Sequence, residues 1–175
     1  VGGNNRQKNQ QMLMYILKAI EAKNPSKDFC LISVGRGHTQ KDVEQLASKL
    51  GVDGKVRFLG QRTDVPKLLN AMDMFFLPSL FEGFPIVAIE AQTAGLPLVI
   101  ADTISKEVEL TNLVHWLPID KGAEVWAEKY YQIAHTKVNR VQYAPIVERK
   151  GFDARHSAQI LQDIYVKNIL RNENS

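Results

Sequence analysis

The chain has 175 residues, of which 45% are hydrophobic and 23% charged, with a net charge of +3 and a pI of about 9.0. Such values are ordinary for a globular protein, and a chain of this length can bury a core without disulfides or metals. The charge is too mild to indicate nucleic-acid binding, and no stretch approaches the roughly 20 apolar residues of a membrane span.

Cysteine usage adds a constraint on the cellular compartment. The chain has one cysteine, Cys30, so it cannot form an internal disulfide, which is compatible with a reducing cytoplasm. Because Cys30 lies in an apolar run, we expect it to be a buried core thiol rather than a catalytic one.

Strands and helices alternate along the chain, as judged from apolar periodicity and from glycine and proline positions. Residues 1–2 resemble the end of a strand. The elements predicted after them are a helix at 8–23, a strand at 29–34, a helix at 39–50, a strand at 56–59, a short helix at 64–72 capped by Asp64, a strand at 74–77, a helix of about ten residues, a strand at 98–101, a short strand at 113–117, a helix at 121–136, and two terminal helices within about 140–171.

This alternation predicts an α/β fold of Rossmann-like architecture, in which a parallel sheet carries helices on both faces. The sequence shows no internal repeat, low-complexity tract or linker. We therefore expect residues 1–175 to form a single domain.

The segment after the strand at 74–77 is the most informative about function. Pro85 suits the first position of a helix, and Gly95 suits the position just past its end. Glu82 is thus predicted to lie in the strand-to-helix turn and Glu90 about two turns into the helix. This is the sheet edge where open α/β folds bind ligands, and free N–H groups at a helix start suit a phosphate.

Two interpretations of these glutamates remain open at this point. In the first, both carboxylates accept hydrogen bonds from ligand hydroxyls, which are strong because the acceptor is charged. In the second, Glu82 only interacts favourably with the helix dipole, and Glu90 is a solvated surface residue.

The segment 79–97 resembles the donor-binding motif of retaining GT-B glycosyltransferases, the glycosyl transferases group 1 or family 4, especially their exopolysaccharide and capsular polysaccharide branch. The resemblance implies that Glu82 acts at the donor sugar as the catalytic-site carboxylate and that Glu90 binds the ribose. It also places the intervening residues of the turn against the donor, namely Gly83, Phe84, Pro85 and Ile86.

Other positions extend the resemblance to most of the chain. Gly35 and Gly37 match a glycine turn of the family, and Lys8 matches a lysine that holds the nucleotide diphosphate. Arg62 lies in a loop that flanks the base and is a further candidate donor contact. Gly3 stands where the family usually has a phosphate-binding arginine, and this departure leaves open whether Arg6 takes its place.

By this resemblance, the chain is the C-terminal, donor-binding domain of a two-domain hexosyltransferase. Its donor would be a nucleotide sugar, with UDP the expected nucleotide, and its acceptor a glycan or a lipid-linked carrier in polysaccharide biosynthesis. The expected partner is an N-terminal acceptor-binding domain of the same enzyme, without which the isolated chain should be inactive. No metal, cofactor or nucleic acid is expected, and the location would be the cytoplasm or, peripherally, the inner face of the membrane.

Three alternatives remain on the sequence alone. The chain could be a nucleotide-sugar binding module without catalysis, a GT-B-fold epimerase, or a flavodoxin-like domain in which the glutamates are incidental. An upstream Rossmann-like half would favour the transferase, and nucleotide binding would exclude the third alternative. The sugar, the acceptor, the linkage and the oligomeric state cannot be identified from the residues.

Overall fold

The computed structural model describes residues 1–3 and 5–172. It describes the side-chain surroundings of all of these residues except 154–157 and 168–172. These ranges contain seven α-helices and five β-strands, which alternate as far as β4; β5 then follows directly, and the last three helices close the chain. In chain order they are α1 Gln10–Lys23, β1 Leu31–Ser33, α2 Gln40–Leu50, β2 Val56–Phe58, α3 Val65–Ala71, β3 Phe75–Leu77, α4 Ile86–Thr93, β4 Leu98–Ala101, β5 Val114–Leu117, α5 Gly122–Ile133, α6 Tyr143–Arg149 and α7 Ala154–Asn172.

All strand pairing in the described chain is parallel, which confirms the predicted α/β class. Strand β1 pairs with β2, so that Leu31 lies opposite Val56. Strand β4 pairs with β3 on one side and β5 on the other. The five strands therefore form two parallel groups rather than one continuous ladder. A cavity of about 550 Å³ has residues of both groups in its lining, from β1 and from β3.

The larger part of the core surrounds β4. All four residues of this strand are fully buried, as expected for a central parallel strand covered on both faces. Helix α5 contributes the fully buried Trp126, whose ring lies 6.5 Å from that of Phe76. Helix α5 also packs against α1, where the Tyr131 hydroxyl donates a 2.7 Å hydrogen bond to the Ile20 carbonyl. Helix α1 in turn packs against α2 over a smaller apolar cluster.

The end of α4 shows how the sequence positions this helix. Gly95 follows the last helical residues with a left-handed φ of 64°. A Cβ atom at this position would also lie 2.6 Å from the Arg140 Cα atom. Glycine is therefore required twice, by its backbone conformation and by the close approach of the segment that leads into α6. This confirms the predicted end of the helix.

Several local predictions were wrong. Cys30 is exposed rather than buried, because β1 begins only at Leu31 and Cys30 lies just before the strand. Residues 1–2 form no strand, although the Gly2 N–H donates to the Val34 carbonyl. Asp64 makes no side-chain cap to α3, because its carboxylate is bound by Arg62 instead.

No helix among the described residues is long and apolar enough to cross a membrane.

Candidate functional site

The candidate site is built on the loop between β3 and α4, which other segments hold from two sides. On one side, the Leu80 N–H donates to the Gln7 carbonyl at 2.8 Å, and the Gln7 side chain donates to the Phe81 carbonyl at 2.9 Å. On the other side, the Thr103 hydroxyl donates to the Ser79 carbonyl at 2.9 Å. The loop backbone is therefore fixed by hydrogen bonds within the protein, two of them from side chains.

Glu82 lies in this loop with only 7% of its side chain exposed. The Lys8 ammonium donates a 2.6 Å charge-assisted hydrogen bond to its Oε2 atom. The Ser79 hydroxyl donates to the other carboxylate oxygen, Oε1. The structure thus brings two predicted site residues, Lys8 and Glu82, into direct contact although 74 positions separate them.

Glu90 lies in a different environment. It is the fifth residue of α4, which begins at Ile86, and so lies just over one turn from the helix start rather than two as predicted. Its side chain lines a largely apolar groove of about 610 Å³ between α3, α4 and the segment around Arg140. Among the described residues, neither Lys8 nor Glu82 lines this groove.

The predicted glycine turn lies beside the start of the chain. Gly35 has a φ of 132°, and a Cβ atom there would lie 1.8 Å from the Gly2 carbonyl oxygen. This position therefore requires glycine so that the segment containing Lys8 can pass close to the end of β1. Gly37 lies exposed in the following loop, where its carbonyl accepts from the Gln40 N–H at 3.4 Å.

The turn leading into α4 presents an apolar surface to solvent. Gly83 is exposed, and a Cβ atom there would meet nothing within 4 Å. Ile86 is 65% exposed, and Phe84 stacks on Phe152 with ring centroids 5.7 Å apart. Pro85 is buried and is the N-cap of α4, one position before the first helical position that was predicted for it. The first turn of α4 has no side-chain cap, and the Ala88 N–H already donates to the Pro85 carbonyl at 2.9 Å, so the N–H groups before Ala88 are the ones that suit an anion.

Arg62 is not joined to the contact between Lys8 and Glu82. Its guanidinium donates two hydrogen bonds to the Asp64 carboxylate, at 2.8 and 2.7 Å. This bidentate pair lowers the pKa of Asp64 and raises that of Arg62. Both groups face solvent, so the pair contributes little to stability. Binding of a phosphate by Arg62 would have to compete with Asp64.

Gly3 and Arg6 are the two positions considered for a phosphate-binding cation near the start of the chain. Gly3 is exposed and supplies no charge, and the Arg6 side chain is exposed at the start of a 3-10 turn that contains Lys8. Across the described residues, no group of three or more histidine, cysteine, aspartate or glutamate side chains could hold a metal ion.

Three residues of the site region were missed by the sequence analysis. Ser79 and Thr103 hold Glu82 and its loop, as described above. Gln92 is fully buried, donates to two carbonyl groups and accepts from Leu110 and Thr111, which fastens residues 108–111 to α4. The sequence held a usable signal for Ser79, because it lies in the motif segment three positions before Glu82. It held none for Gln92, because the residues that it fastens, 108–111, are 16 to 19 positions away.

Comparison with known proteins identifies the family. The family model described as glycosyl transferases group 1 matches residues 1–135. The chain belongs to this family. The chain is 31% identical over 154 residues to the putative glycosyltransferase EpsF of Bacillus subtilis, a match that covers 86% of this chain and 40% of EpsF. It is 33% identical over 137 residues to the lipopolysaccharide glucosyltransferase WaaG of Escherichia coli, with 77% of this chain and 34% of WaaG covered.

Solved structures agree on the fold. A crystal structure of WaaG matches with a TM-score of 0.69 and 25% identity over 90% of this chain and 43% of that chain. The structure of Anabaena HepE in complex with UDP matches with a TM-score of 0.74 and 24% identity over 94% of this chain and 47% of that chain. These neighbours are GT-B glycosyltransferases, which confirms the expected fold. The chain spans less than half the length of EpsF, WaaG and the HepE chain.

Proposed function

We propose that this chain is the donor-binding part of a retaining hexosyltransferase that moves a sugar from a UDP-sugar to a glycan or a lipid-linked acceptor in polysaccharide biosynthesis. The observation that carries the proposal is the contact between Lys8 and Glu82 at the carboxyl end of β3. It places a cation and a nearly buried carboxylate together, beside the uncapped start of a helix. A sugar joined to a diphosphate needs these groups: a positive site for the phosphates and an acceptor for the sugar hydroxyls.

In this proposal, Lys8 and the first N–H groups of α4 stabilise the charge that develops on the departing diphosphate. Such preorganised electrostatic stabilisation is usually the largest single contribution to catalysis. Glu82 accepts from hydroxyl groups of the sugar and holds it in place. Glu90 accepts from the ribose hydroxyls at the groove along α4. No metal ion has a part in this mechanism.

The acceptor requires a second part of the enzyme. The UDP-bound HepE structure and the relatives EpsF and WaaG are all at least twice as long as the region that this chain matches. We propose that an acceptor-binding half faces the edge of the sheet where Glu82 lies. Holding both reactants in register is worth up to about 7–11 kcal/mol, so the 175-residue chain alone should bind donor but transfer no sugar.

The test is a calorimetric titration of the 175-residue chain with UDP, GDP and ADP, followed by an assay for sugar transfer. We expect binding of at least one diphosphate, with UDP preferred, and no transfer. Absence of binding to all three would contradict the donor-binding role. Robust transfer by this chain alone would contradict the need for a second half.

A further inference from the structure

Ser79 is a fully buried polar residue whose position is explained by neither strand pairing nor helix capping. It follows β3 in the loop that carries Glu82, and its hydroxyl donates a hydrogen bond to the Oε1 atom of that carboxylate. A buried hydroxyl needs a partner, and here the partner is a charged group, which makes the bond stronger than a neutral one.

Each oxygen of the Glu82 carboxylate accepts a hydrogen bond from a different side chain. Lys8 donates to Oε2 at 2.6 Å, and Ser79 donates to Oε1. With one donor on each oxygen, the carboxylate plane cannot rotate without breaking a hydrogen bond. An ionised carboxylate has about four acceptor positions, so roughly two remain for ligand hydroxyls. The arrangement therefore fixes the direction of the remaining lone pairs before a ligand arrives.

The loop around Ser79 is itself held from both sides. Its carbonyl accepts from the Thr103 hydroxyl at 2.9 Å, and the preceding Pro78 carbonyl accepts from the Asn9 side chain at 3.1 Å. The Glu82 backbone in turn forms an isolated bridge to Ile104. The serine hydroxyl is thus presented from a rigid position, which is what a group needs if it is to orient another side chain.

We propose that Ser79 is a positioning residue that orients the Glu82 carboxylate toward the donor sugar. This rests on the proposed function, in which Glu82 binds the donor sugar. Since Ser79 acts through Glu82, it affects only the part of the affinity that the sugar supplies. Because Ser79 is fully buried and acts only through Glu82, affinity for the bare diphosphate should be independent of it.

The experiment compares Ser79→Ala with Glu82→Ala and with the double variant, and uses Ser105→Ala as the control. The control also removes one loop hydroxyl, but that hydroxyl accepts from the Glu107 N–H and does not contact the Glu82 carboxylate. For each variant, titrations with UDP and with UDP-glucose, UDP-galactose and UDP-N-acetylglucosamine give the extra affinity due to the sugar. Urea unfolding gives stability without any ligand.

We expect Ser79→Ala to lower the sugar-dependent affinity by about threefold to tenfold, less than Glu82→Ala, and to leave UDP affinity within twofold, since an indirect loss is smaller than loss of the charged acceptor. In the Glu82→Ala background, Ser79→Ala should cause no further loss, because residues that act through one contact are non-additive. The same non-additivity should appear in the unfolding equilibrium constants.

Two results would overturn the proposal while leaving the proposed function intact: an unchanged sugar-dependent affinity in Ser79→Ala when Glu82→Ala loses it, or fully additive losses in the double variant. If Glu82→Ala itself retains the sugar-dependent affinity, or no UDP-sugar binds more tightly than UDP, the sugar-binding role of Glu82 fails and the role of Ser79 fails with it. Should Ser79→Ala not fold, Ser79→Cys keeps the shape with a weaker donor and is judged by the same two criteria.

Discussion

Glu82 and Glu90 lie eight positions apart, yet their surroundings are opposite in character. Glu82 is nearly buried in a fixed loop, with Lys8 and Ser79 each donating to one of its oxygens. Glu90 is partly exposed on α4 above a mostly apolar groove. In the part of the chain that the structure describes, no side chain or N–H group donates to the Glu90 carboxylate.

The difference favours the proposal that one short segment holds two separate recognition sites. The carboxylate of Glu82 is held by two donors, and in the proposed function its partner Lys8 also binds the diphosphate. In the proposed function, the ribose hydroxyls bind the Glu90 carboxylate over a mostly apolar groove, where the lower local dielectric strengthens hydrogen bonds. The two residues should therefore affect different parts of one ligand.

The largest effect is expected at Glu82. In a full-length enzyme that contains this chain, Glu82→Ala should lower turnover by about tenfold to a hundredfold, since hydrogen bonds to a charged group are worth about 1.5–3 kcal/mol each. Affinity for plain UDP should stay nearly unchanged, because in the proposed function Glu82 binds the sugar and not the nucleotide. Steady-state kinetics and UDP titration measure the two quantities.

Glu82→Gln is the matched control for that experiment, because it keeps the size and an acceptor oxygen but removes the charge. It should fall between the wild type and the alanine variant in turnover. Equal weakening of plain UDP binding by Glu82→Ala and by Glu90→Ala would show that the two sites are not separate.

The next largest effect concerns Glu90. Glu90→Ala should weaken UDP binding by about tenfold or more, because it removes the charged acceptor of the ribose hydroxyls. Calorimetry with UDP measures this loss, with Glu128→Ala on α5 as a control that removes an exposed glutamate from a different groove. Unchanged UDP affinity in a folded Glu90→Ala variant, checked by circular dichroism, would favour a merely solvated glutamate.

A smaller effect is expected at Arg62. Its guanidinium is already bound by Asp64 on the exposed surface, so Arg62→Ala should weaken UDP binding by less than about threefold. Asp64→Ala is informative beside it, because it frees the guanidinium. If Arg62→Ala alone lowers affinity tenfold, the arginine leaves Asp64 to bind the donor, and the described pair is not the ligand-bound arrangement.

The smallest effect should come from divalent metal. Titration of UDP in EDTA and in magnesium should give the same affinity within twofold, because Lys8 and the start of α4 are proposed to neutralise the phosphates. A tenfold loss in EDTA would require a metal ligand that this proposal lacks.

The local sequence determined most of the secondary structure and the position of the site along the chain. Apolar runs bounded by glycine and proline identified each strand to within a few residues, and Gly95 determined the end of α4. These signals are short-range, since backbone conformation and strand burial depend on neighbouring residues. Errors arose where a distant or competing contact decided the outcome, as at Asp64, which pairs with Arg62 rather than capping α3.

By itself, the sequence of this protein specified a parallel α/β fold, the turn and helix that carry Glu82 and Glu90, and a family resemblance that the comparisons confirm. Only the tertiary structure decided that Lys8 and Ser79 each donate to one oxygen of the Glu82 carboxylate, while Glu90 lines a mostly apolar groove. The physical reason is that hydrogen bonds and burial join residues far apart in the chain, and their distances and directions depend on how the strands and loops pack.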